Sequence, residues 1–188
     1  MNAVTTPQRI RISVDRFEKM IDTGVLSKDD RIELIDGDMI NVPWIGPEHS
    51  FLTAQLTKQF VLSVGDSAIV SPGGSVRLGN YSMPQPDLML LIPRTDGYRR
   101  QRPTPPDVLL LVEISDSSLA YDQSTKRALY ARFGVPEYWV VDVRGERVHV
   151  YREPVADGYA QVIQCAAADI VSPRALPAVQ IRVGALFE

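Results

Sequence analysis

An apolar stretch with one carboxylate inside it is the most chemically informative feature of this sequence. Val108-Leu-Leu-Leu-Val-Glu113-Ile114 is typical of a strand that is covered on both faces of a sheet. An ionised glutamate in such a strand costs several kcal/mol unless a cation, a metal ion or hydrogen bonds compensate its charge. Glu113 is therefore a candidate functional residue.

A second acid opens another apolar stretch. Gln85-Pro86-Asp87 precedes the apolar residues 88–92, and proline is acceptable at the first position of a strand. Two acids on strands that are expected to be neighbours predict a site for Mg²⁺ or Mn²⁺, which prefer oxygen ligands. The alternative is that each acid forms a salt bridge with a nearby lysine or arginine.

The elements that carry these acids belong to an ordinary globular chain. Its 188 residues, 45% of them hydrophobic and 23% charged, are enough for a single domain over residues 1–188 with a proper core. No apolar stretch is long enough for a membrane span, and no signal peptide is evident at the N-terminus. The net charge of −3 argues against tight nonspecific binding to nucleic acid, although a local basic patch is compatible with it.

The few cysteines and histidines exclude two further classes of site. A single cysteine, Cys165, rules out an internal disulfide and favours a cytoplasmic location. Only two histidines, His49 and His149, are available, so a Cys/His zinc site is not expected.

In the first half of the chain, the pattern predicts a loose arm over residues 1–9 and a short helix from the N-cap Ser13 to about residue 21. Two strands flank Asp36-Gly37, a strong signal for a two-residue hairpin. A longer helix is expected over residues 48–63, and short strands over 68–70 and 75–78. Residues 93–107, rich in proline and arginine, predict an exposed, mobile loop.

In the second half, a helix with Asp122 as its N-cap is expected to follow the Glu113 strand and to end at Gly134. Residues 138–142 and 147–151 predict a second hairpin. Residues 154–188 are expected to form a C-terminal extension with two short strands near positions 161 and 179. This order of elements predicts the α/β class, an α+β mixed sheet that is flanked by helices.

A set of motifs in this order resembles the Uma-two family, a restriction-endonuclease-like group in the PD-(D/E)XK nuclease superfamily. The resemblance covers residues 14–152 and implies a restriction endonuclease-like core. The motifs are Glu33-Leu-Ile-Asp-Gly37, Pro47-Glu-His49, Pro84-Gln-Pro-Asp87, Val112-Glu-Ile-Ser115, the spacing of Asp122 and Lys126, and Gly134-Val-Pro-Glu-Tyr-Trp-Val-Val-Asp142.

The resemblance also implies roles for individual residues. Asp87 and Glu113 would bind a magnesium ion together with the backbone carbonyl of Ile114, and water activated there would attack phosphorus and leave a 5′-phosphate. Glu33 would bind the ion directly or through water; its alternative is an exposed acid on a strand.

The sequence departs from the superfamily pattern at one position. A lysine is expected two residues after the second acid, but Ser115 stands there and cannot supply a positive charge. Lys126 is expected to replace it from the following helix, as the family resemblance implies. The alternative is a surface lysine on an amphipathic helix.

Two further side chains are candidates for the surroundings of the site. His49 precedes Leu52 and Leu56 at helical spacing, so it either touches the site or forms a hydrogen bond within the core. Gln85 either positions the substrate or caps the strand.

The function predicted from the sequence is a metal-dependent endonuclease that acts on nucleic acid as a homodimer, with DNA as the expected substrate. The competing hypothesis, from another class, is a non-catalytic or regulatory protein that retains the nuclease fold. In that protein, the acids and Lys126 would form a structural ion-pair network.

Overall fold

The protein is described by a computed structural model over residues 9–27 and 29–188. The predicted loose arm therefore lies outside the described residues, apart from Arg9. Within these ranges, no helix combines the length and the apolar character that are needed to cross a membrane.

The described residues form three longer helical segments, ten strands and three short 3-10 helices (Gly65–Ser67, Pro105–Asp107 and Gly184–Leu186). The strands are β1 (Ile32–Ile35), β2 (Asp38–Asn41), β3 (Ile69–Pro72), β4 (Leu88–Leu91), β5 (Val108–Ser115), β6 (Glu137–Asp142), β7 (Arg147–Val155), β8 (Gly158–Cys165), β9 (Ile170–Val171) and β10 (Ile181–Arg182). The helices are α1 (Val14–Asp22), α2 (Pro47–Val64) and α3, in which α-helical Leu119–Tyr121, π-helical Asp122–Lys126 and α-helical Arg127–Arg132 follow one another without a break.

The chain divides into two compact units. The smaller comprises the described part of Met1–Trp44 together with Arg77–Pro84, and the larger comprises Ile45–Val76 and Gln85–Glu188. The prediction of one domain over residues 1–188 stays a prediction.

The larger unit is built on a six-stranded mixed sheet of order β3-β4-β5-β6-β7-β8. Only β5 and β6 are parallel among these neighbours, because α3 carries the chain back across the sheet between them. Strands β4, β5 and β6 are buried throughout except for one half-buried position, Leu109. The sequence prediction that Glu113 lies in a central strand is confirmed.

Alternation along β5 divides its side chains between the two faces of the sheet. Leu110, Val112 and Ile114 belong to the same apolar cluster as Leu52 and Leu56 of α2. Glu113 and Ser115 therefore point to the opposite face, where they contact side chains of α3. Because of this alternation, the Glu113 side chain faces α3 and not solvent.

The smaller unit contains α1 and the β1–β2 hairpin. Ser13 caps α1, since its hydroxyl accepts a hydrogen bond from the Arg16 N–H, as the sequence predicted. Asp36 and Gly37 form the hairpin turn with φ values of 51° and 86°. A Cβ at Gly37 would lie 2.6 Å from the Arg11 Cβ, so both the backbone conformation and the lack of space require glycine there.

The structure corrects two of the predicted elements. Asp122 is not an N-cap, because its backbone is helical (φ −68°, ψ −38°) and its N–H already donates to the Ser118 and Leu119 carbonyls. The helix begins at Leu119, with Ser118 at the N-cap position four residues before Asp122, and the Asp122 carboxylate turns inward to Ser115. Residues 75–78 form no strand of the main sheet; Leu78 pairs only with Ser82, in an isolated bridge.

The first part of the predicted C-terminal extension, through Cys165, belongs to the main sheet. Strand β7 continues to Val155 and β8 pairs with it along most of its length. The sequence signal was weak because β8 is an edge strand whose middle residues, 160–162, are all exposed; Val162, for example, is 55% exposed. Strands β9 and β10 form a small separate pair.

Candidate active site

Glu113 is held in the sheet by two side chains of α3. The residue is only 4% exposed, and its Oε1 accepts hydrogen bonds from Lys126 Nζ at 2.9 Å and from Tyr130 Oη at 2.7 Å. The Lys126 ammonium is itself buried, with a side-chain exposure of 6%. A full charge in the apolar strand is therefore compensated by an ammonium and a hydroxyl, as its burial requires.

Asp87 immediately precedes β4, the strand that pairs with the Glu113 strand β5. The register pairs Leu88 with Val112, so Asp87 stands one step further along, opposite Glu113. Asp87 Oδ2 accepts a hydrogen bond from the Ile114 N–H at 2.7 Å and lies 3.0 Å from His49 Nε2. These contacts fix the carboxylate at the strand end.

His49 reaches Asp87 from the first turns of α2. Its position three and seven residues before Leu52 and Leu56 places it beside the buried face of the helix, and its side chain is 12% exposed. The structure favours the first of the two sequence interpretations, contact with the site, over a purely internal hydrogen bond. The Nδ1 atom also lies 3.4 Å from the Thr53 hydroxyl of the same helix.

Asp122 forms a second buried cluster on the face of the sheet to which Glu113 points. It is 2% exposed, and its Oδ2 accepts hydrogen bonds from the hydroxyls of Ser115 at 2.7 Å and Ser118 at 2.5 Å. The Ser115 side chain, which stands where the superfamily has lysine, is thus fully used in binding Asp122. Tyr138 Oη donates to the Asp122 carbonyl at 3.2 Å.

Burial controls the protonation of this cluster. It raises the pKa of the Asp122 carboxyl, against the opposing effects of the Lys126 charge and of the two serine hydroxyls. Burial, together with the negative charges of Glu113 and Asp122, holds the pKa of Tyr138 well above its usual value. Tyr138 therefore keeps its proton and remains a hydrogen-bond donor at neutral pH.

The predicted site residues fall into two groups. Asp87, Glu113, Ile114, Lys126 and His49 are connected by the contacts just described. Two other predicted residues, Gln85 and Glu33, take no part in those contacts. Gln85 donates through Nε2 to the Gly73 carbonyl at 2.7 Å, and so braces the turn whose Gly73 N–H binds the Asp87 carbonyl. Glu33 lies on β1 in the smaller unit and is only 3% exposed, so it is not the exposed strand acid of the alternative interpretation. Its metal-binding role stays a prediction.

Sequence reasoning missed Tyr130 and the inward orientation of Asp122. Tyr130 follows Lys126 by four residues, which places both on one face of a helix, so this spacing was a usable signal. No comparable signal exists for Asp122, because an aspartate that precedes a helical pattern normally caps it. The π-helical turn that starts at Asp122 is not visible in the sequence.

The oxygen ligands at this position suit a hard divalent cation. Asp87 and Glu113 offer carboxylates from adjacent strands, and the peptide group of Ile114 lies between them. Within residues 9–27 and 29–188, no group of three or more His, Cys, Asp or Glu side chains is arranged to hold a metal ion. Magnesium still fits two carboxylates, since it commonly binds through one or two of them and keeps several waters.

Comparison with known proteins identifies the family of this chain. The model of the Uma2 family, described as "Putative restriction endonuclease", matches residues 14–184. The chain belongs to this family. The Uma-two match extends beyond the predicted residues 14–152, so β8, β9 and β10 fall within the family's matched region.

A solved structure supports the same fold. The chain is similar to a protein described as "a putative nuclease belonging to DUF820 from Anabaena variabilis ATCC 29413", with a TM-score of 0.70 and 20% sequence identity. The likeness covers 94% of this chain and 97% of that one. No curated protein matches the chain. The predicted mixed sheet with a restriction endonuclease-like core is therefore confirmed.

Proposed function

We propose that this Uma-two protein is a metal-dependent endonuclease that hydrolyses phosphodiester bonds of nucleic acid. The observation that carries the proposal is the cluster in which Asp87, immediately before β4, stands opposite the buried Glu113 of β5, whose carboxylate binds Lys126. Family membership and fold support a restriction-endonuclease-like protein.

Charge at the site favours a divalent cation. Three carboxylates are coupled to one ammonium: Lys126 binds Glu113, and the charges of Lys126 and Asp87 both act on Asp122. The raised pKa of Asp122 shows that burial disfavours its negative charge there. A cation held by Asp87, Glu113 and the Ile114 carbonyl would offset this excess of negative charge.

Each residue of the cluster then has a distinct role. When bound, Mg²⁺ or Mn²⁺ would lower the pKa of a coordinated water and neutralise charge that develops on the phosphate. Lys126 supplies the positive charge that Ser115 cannot, while the Tyr130 hydroxyl and Lys126 together orient Glu113. His49 and the Ile114 N–H orient Asp87.

A local basic segment offers contacts for the phosphate backbone. Arg99 and Arg100 are exposed, and Arg102 donates to the Ser75 hydroxyl at 2.5 Å. Ser75 lies two residues after Gly73, whose N–H binds the Asp87 carbonyl at 2.9 Å, so Arg102 connects the arginine segment with the turn that adjoins Asp87. In a chain of net charge −3, this segment provides the local positive charge that nucleic acid requires.

The Glu113–Lys126 contact also favours the second candidate function. A buried ion pair can serve structure alone, so a non-catalytic or regulatory protein would retain Glu113, Lys126 and Tyr130 as they are. The two functions differ in their response to metal. A metal site raises the melting temperature as the ion is added, whereas an ion pair alone does not.

The deciding experiment measures metal-dependent cleavage and metal-dependent stability on the same samples. Plasmid DNA, oligonucleotide DNA and RNA are incubated with the protein in Mg²⁺, in Mn²⁺ and in chelator, and the ends of the products are analysed for 5′-phosphate. Asp87→Asn should abolish both cleavage and the metal-induced rise in melting temperature. The matched control is Asp157→Asn, which changes an exposed turn carboxylate and should alter neither.

The outcomes separate the two candidates. If the parent protein cleaves neither DNA nor RNA and its melting temperature does not respond to either metal, the nuclease proposal fails and the structural ion-pair network is preferred. Because small nucleases that cut both strands usually act as dimers, we also expect a homodimer in solution. Sedimentation in the presence and absence of DNA measures this directly.

A further inference from the structure

The contact between Ser115 and Asp122 joins the end of β5 to the middle of α3. Both residues are buried, at 0% and 2% exposure, and their side chains are 2.7 Å apart. Ser118, in the connection between the two elements, donates to the same carboxylate oxygen. A buried carboxylate that accepts two hydroxyl groups is an anchoring interaction at the point where α3 meets the sheet.

The backbone of Asp122 is fixed as firmly as its side chain. Its carbonyl accepts the Arg127 N–H, five residues ahead, which defines the π-helical turn Asp122–Lys126, and it also accepts the Tyr138 hydroxyl at 3.2 Å. π-helical turns are rare and occur frequently at functional sites. This one ends at Lys126, the residue whose ammonium binds Glu113.

We propose that Ser115 and Asp122 are positioning residues that hold the π-helical turn against β5 and thereby place the Lys126 ammonium on Glu113. This inference rests on the proposed function, because it assigns these residues to the placement of a group in the nuclease site. It also gives a role to the position at which the chain departs from the superfamily pattern: the serine there binds the helix that carries the replacement lysine.

Strand geometry explains why these two contacts form a pair. Ser115 and Glu113 are two residues apart and so point to the same face of the sheet. Asp122 and Lys126 are four residues apart on α3, so a helix held at Ser115 presents its next turn to Glu113. Without the anchor, the long lysine side chain would be drawn towards solvent, where its ammonium is better hydrated.

The test measures how well Lys126 is protected from an amine-acylating reagent, with site-resolved mass spectrometry and without metal or substrate. Lys58, which is exposed on α2, is the internal reference. Ser115→Ala should raise the labelling rate of Lys126 relative to Lys58 by about fivefold, as expected for the loss of one hydrogen bond. Ser124→Ala is the matched control; the hydroxyl of this exposed serine in the same π-helical turn donates to the Ala120 carbonyl, and its removal should leave the ratio unchanged.

Substitutions of Asp122 keep the test valid even if one variant is unstable. Asp122→Asn retains an acceptor for the serine hydroxyls and should protect Lys126 better than Asp122→Ala does. Amide exchange of β6 and β7, recorded on the same samples, distinguishes local opening of α3 from global unfolding. Equal labelling of Lys126 in the parent protein, Ser115→Ala and a folded Asp122→Ala would overturn the proposal.

The labelling result is independent of nuclease activity, so the two proposals can fail separately. If the parent protein cleaves nucleic acid, Ser115→Ala should lower kcat about tenfold with KM little changed, since positioning and not binding is affected. A variant that exposes Lys126 yet cleaves at the parent rate would refute the positioning role. Absence of cleavage in the parent protein would refute the proposed function and leave the labelling experiment to decide whether the anchor exists.

Discussion

The buried pair of Glu113 and Lys126 leads to a prediction that can be worked out in energetic terms. Glu113→Gln removes the negative charge but keeps a carbonyl oxygen of similar shape, which can still accept hydrogen bonds from Lys126 and Tyr130. The Lys126 ammonium, 6% exposed on its side chain, then remains buried without its carboxylate partner. Breaking a buried pair in this way costs about 3–5 kcal/mol.

We expect the lower end of that range, because the glutamine amide preserves part of the hydrogen bonding and because Asp122 still lies near the ammonium. For a chain of this size, a loss of about 3 kcal/mol corresponds to a fall of roughly 6–12 °C in melting temperature. Urea titrations in chelator, with the free energy of unfolding extrapolated to water, measure the loss directly.

A double-mutant cycle isolates the contribution of the pair. Lys126→Met alone should also destabilise the protein, whereas Glu113→Gln combined with Lys126→Met should cost about 2 kcal/mol less than the sum of the two single changes. The matched control is the exposed pair of Arg144 and Asp116, which has a similar N–O distance of 3.1 Å. There, Asp116→Asn should cost less than about 1 kcal/mol.

The reasoning is refuted if the free-energy changes of Glu113→Gln and Lys126→Met are simply additive in the double mutant. If Glu113→Gln is as stable as the parent protein in chelator, or if the coupling to Lys126 is within the error of the control pair, Glu113 does not bear a paired charge in the folded protein. In the parent protein, saturating Mg²⁺ should add stability, about 2.7 kcal/mol at a concentration 100 times Kd, and Glu113→Gln should abolish that gain.

Four further predictions concern metal, catalysis, substrate and pH. Asp87→Asn should remove the metal-induced rise in melting temperature, measured against Mg²⁺ concentration by scanning calorimetry; an unchanged response would exclude Asp87 as a ligand. Lys126→Met should slow cleavage by a factor on the order of 10² to 10³, while metal affinity stays the same or rises because a nearby positive charge is lost. Replacing Arg99 and Arg100 by alanine should weaken DNA binding and reduce the slope of log K against log salt concentration by about 2, measured by fluorescence anisotropy; an equal slope would place the phosphate contacts elsewhere. Burial raises the pKa of Asp122 above 3.8, so the folded state holds that proton more tightly and its contribution to stability falls as pH rises from that value to the raised one. Asp122→Asn should remove this decrease, which urea titrations between pH 4 and pH 7 in chelator would detect.

Local patterns in the sequence were sufficient for most of the secondary structure. The Asp36-Gly37 turn, the Ser13 cap, the buried face of α2 and the end of α3 at Gly134 all follow from interactions between residues that are close in the chain. The sequence also placed Glu113 in a buried central strand, because a continuous apolar stretch has few other places in a folded domain. For the same reason, the prediction of β8 from the sequence was weak: an edge strand is largely exposed, so its residues show little hydrophobic pattern.

The arrangement of the site was decided by tertiary structure. The sequence alone left Lys126 as either a site residue or a surface lysine, and left His49 as either a contact of the site or a core residue. Packing of α3 and α2 on the sheet settled where each side chain lies, at 2.9 Å from Glu113 and 3.0 Å from Asp87, respectively.

The physical reason is that a buried charge is compensated by residues that are distant from it in the sequence. The sequence shows that Glu113 needs compensation, but a strand pattern carries no information about which residue will approach it from another element. A single π-helical turn at Asp122 shifts the register of every later side chain on α3, and that shift is fixed by contacts with Ser115 and Tyr138 across the fold. The sequence by itself therefore determined that a charged site must exist, and the tertiary structure decided which side chains complete it.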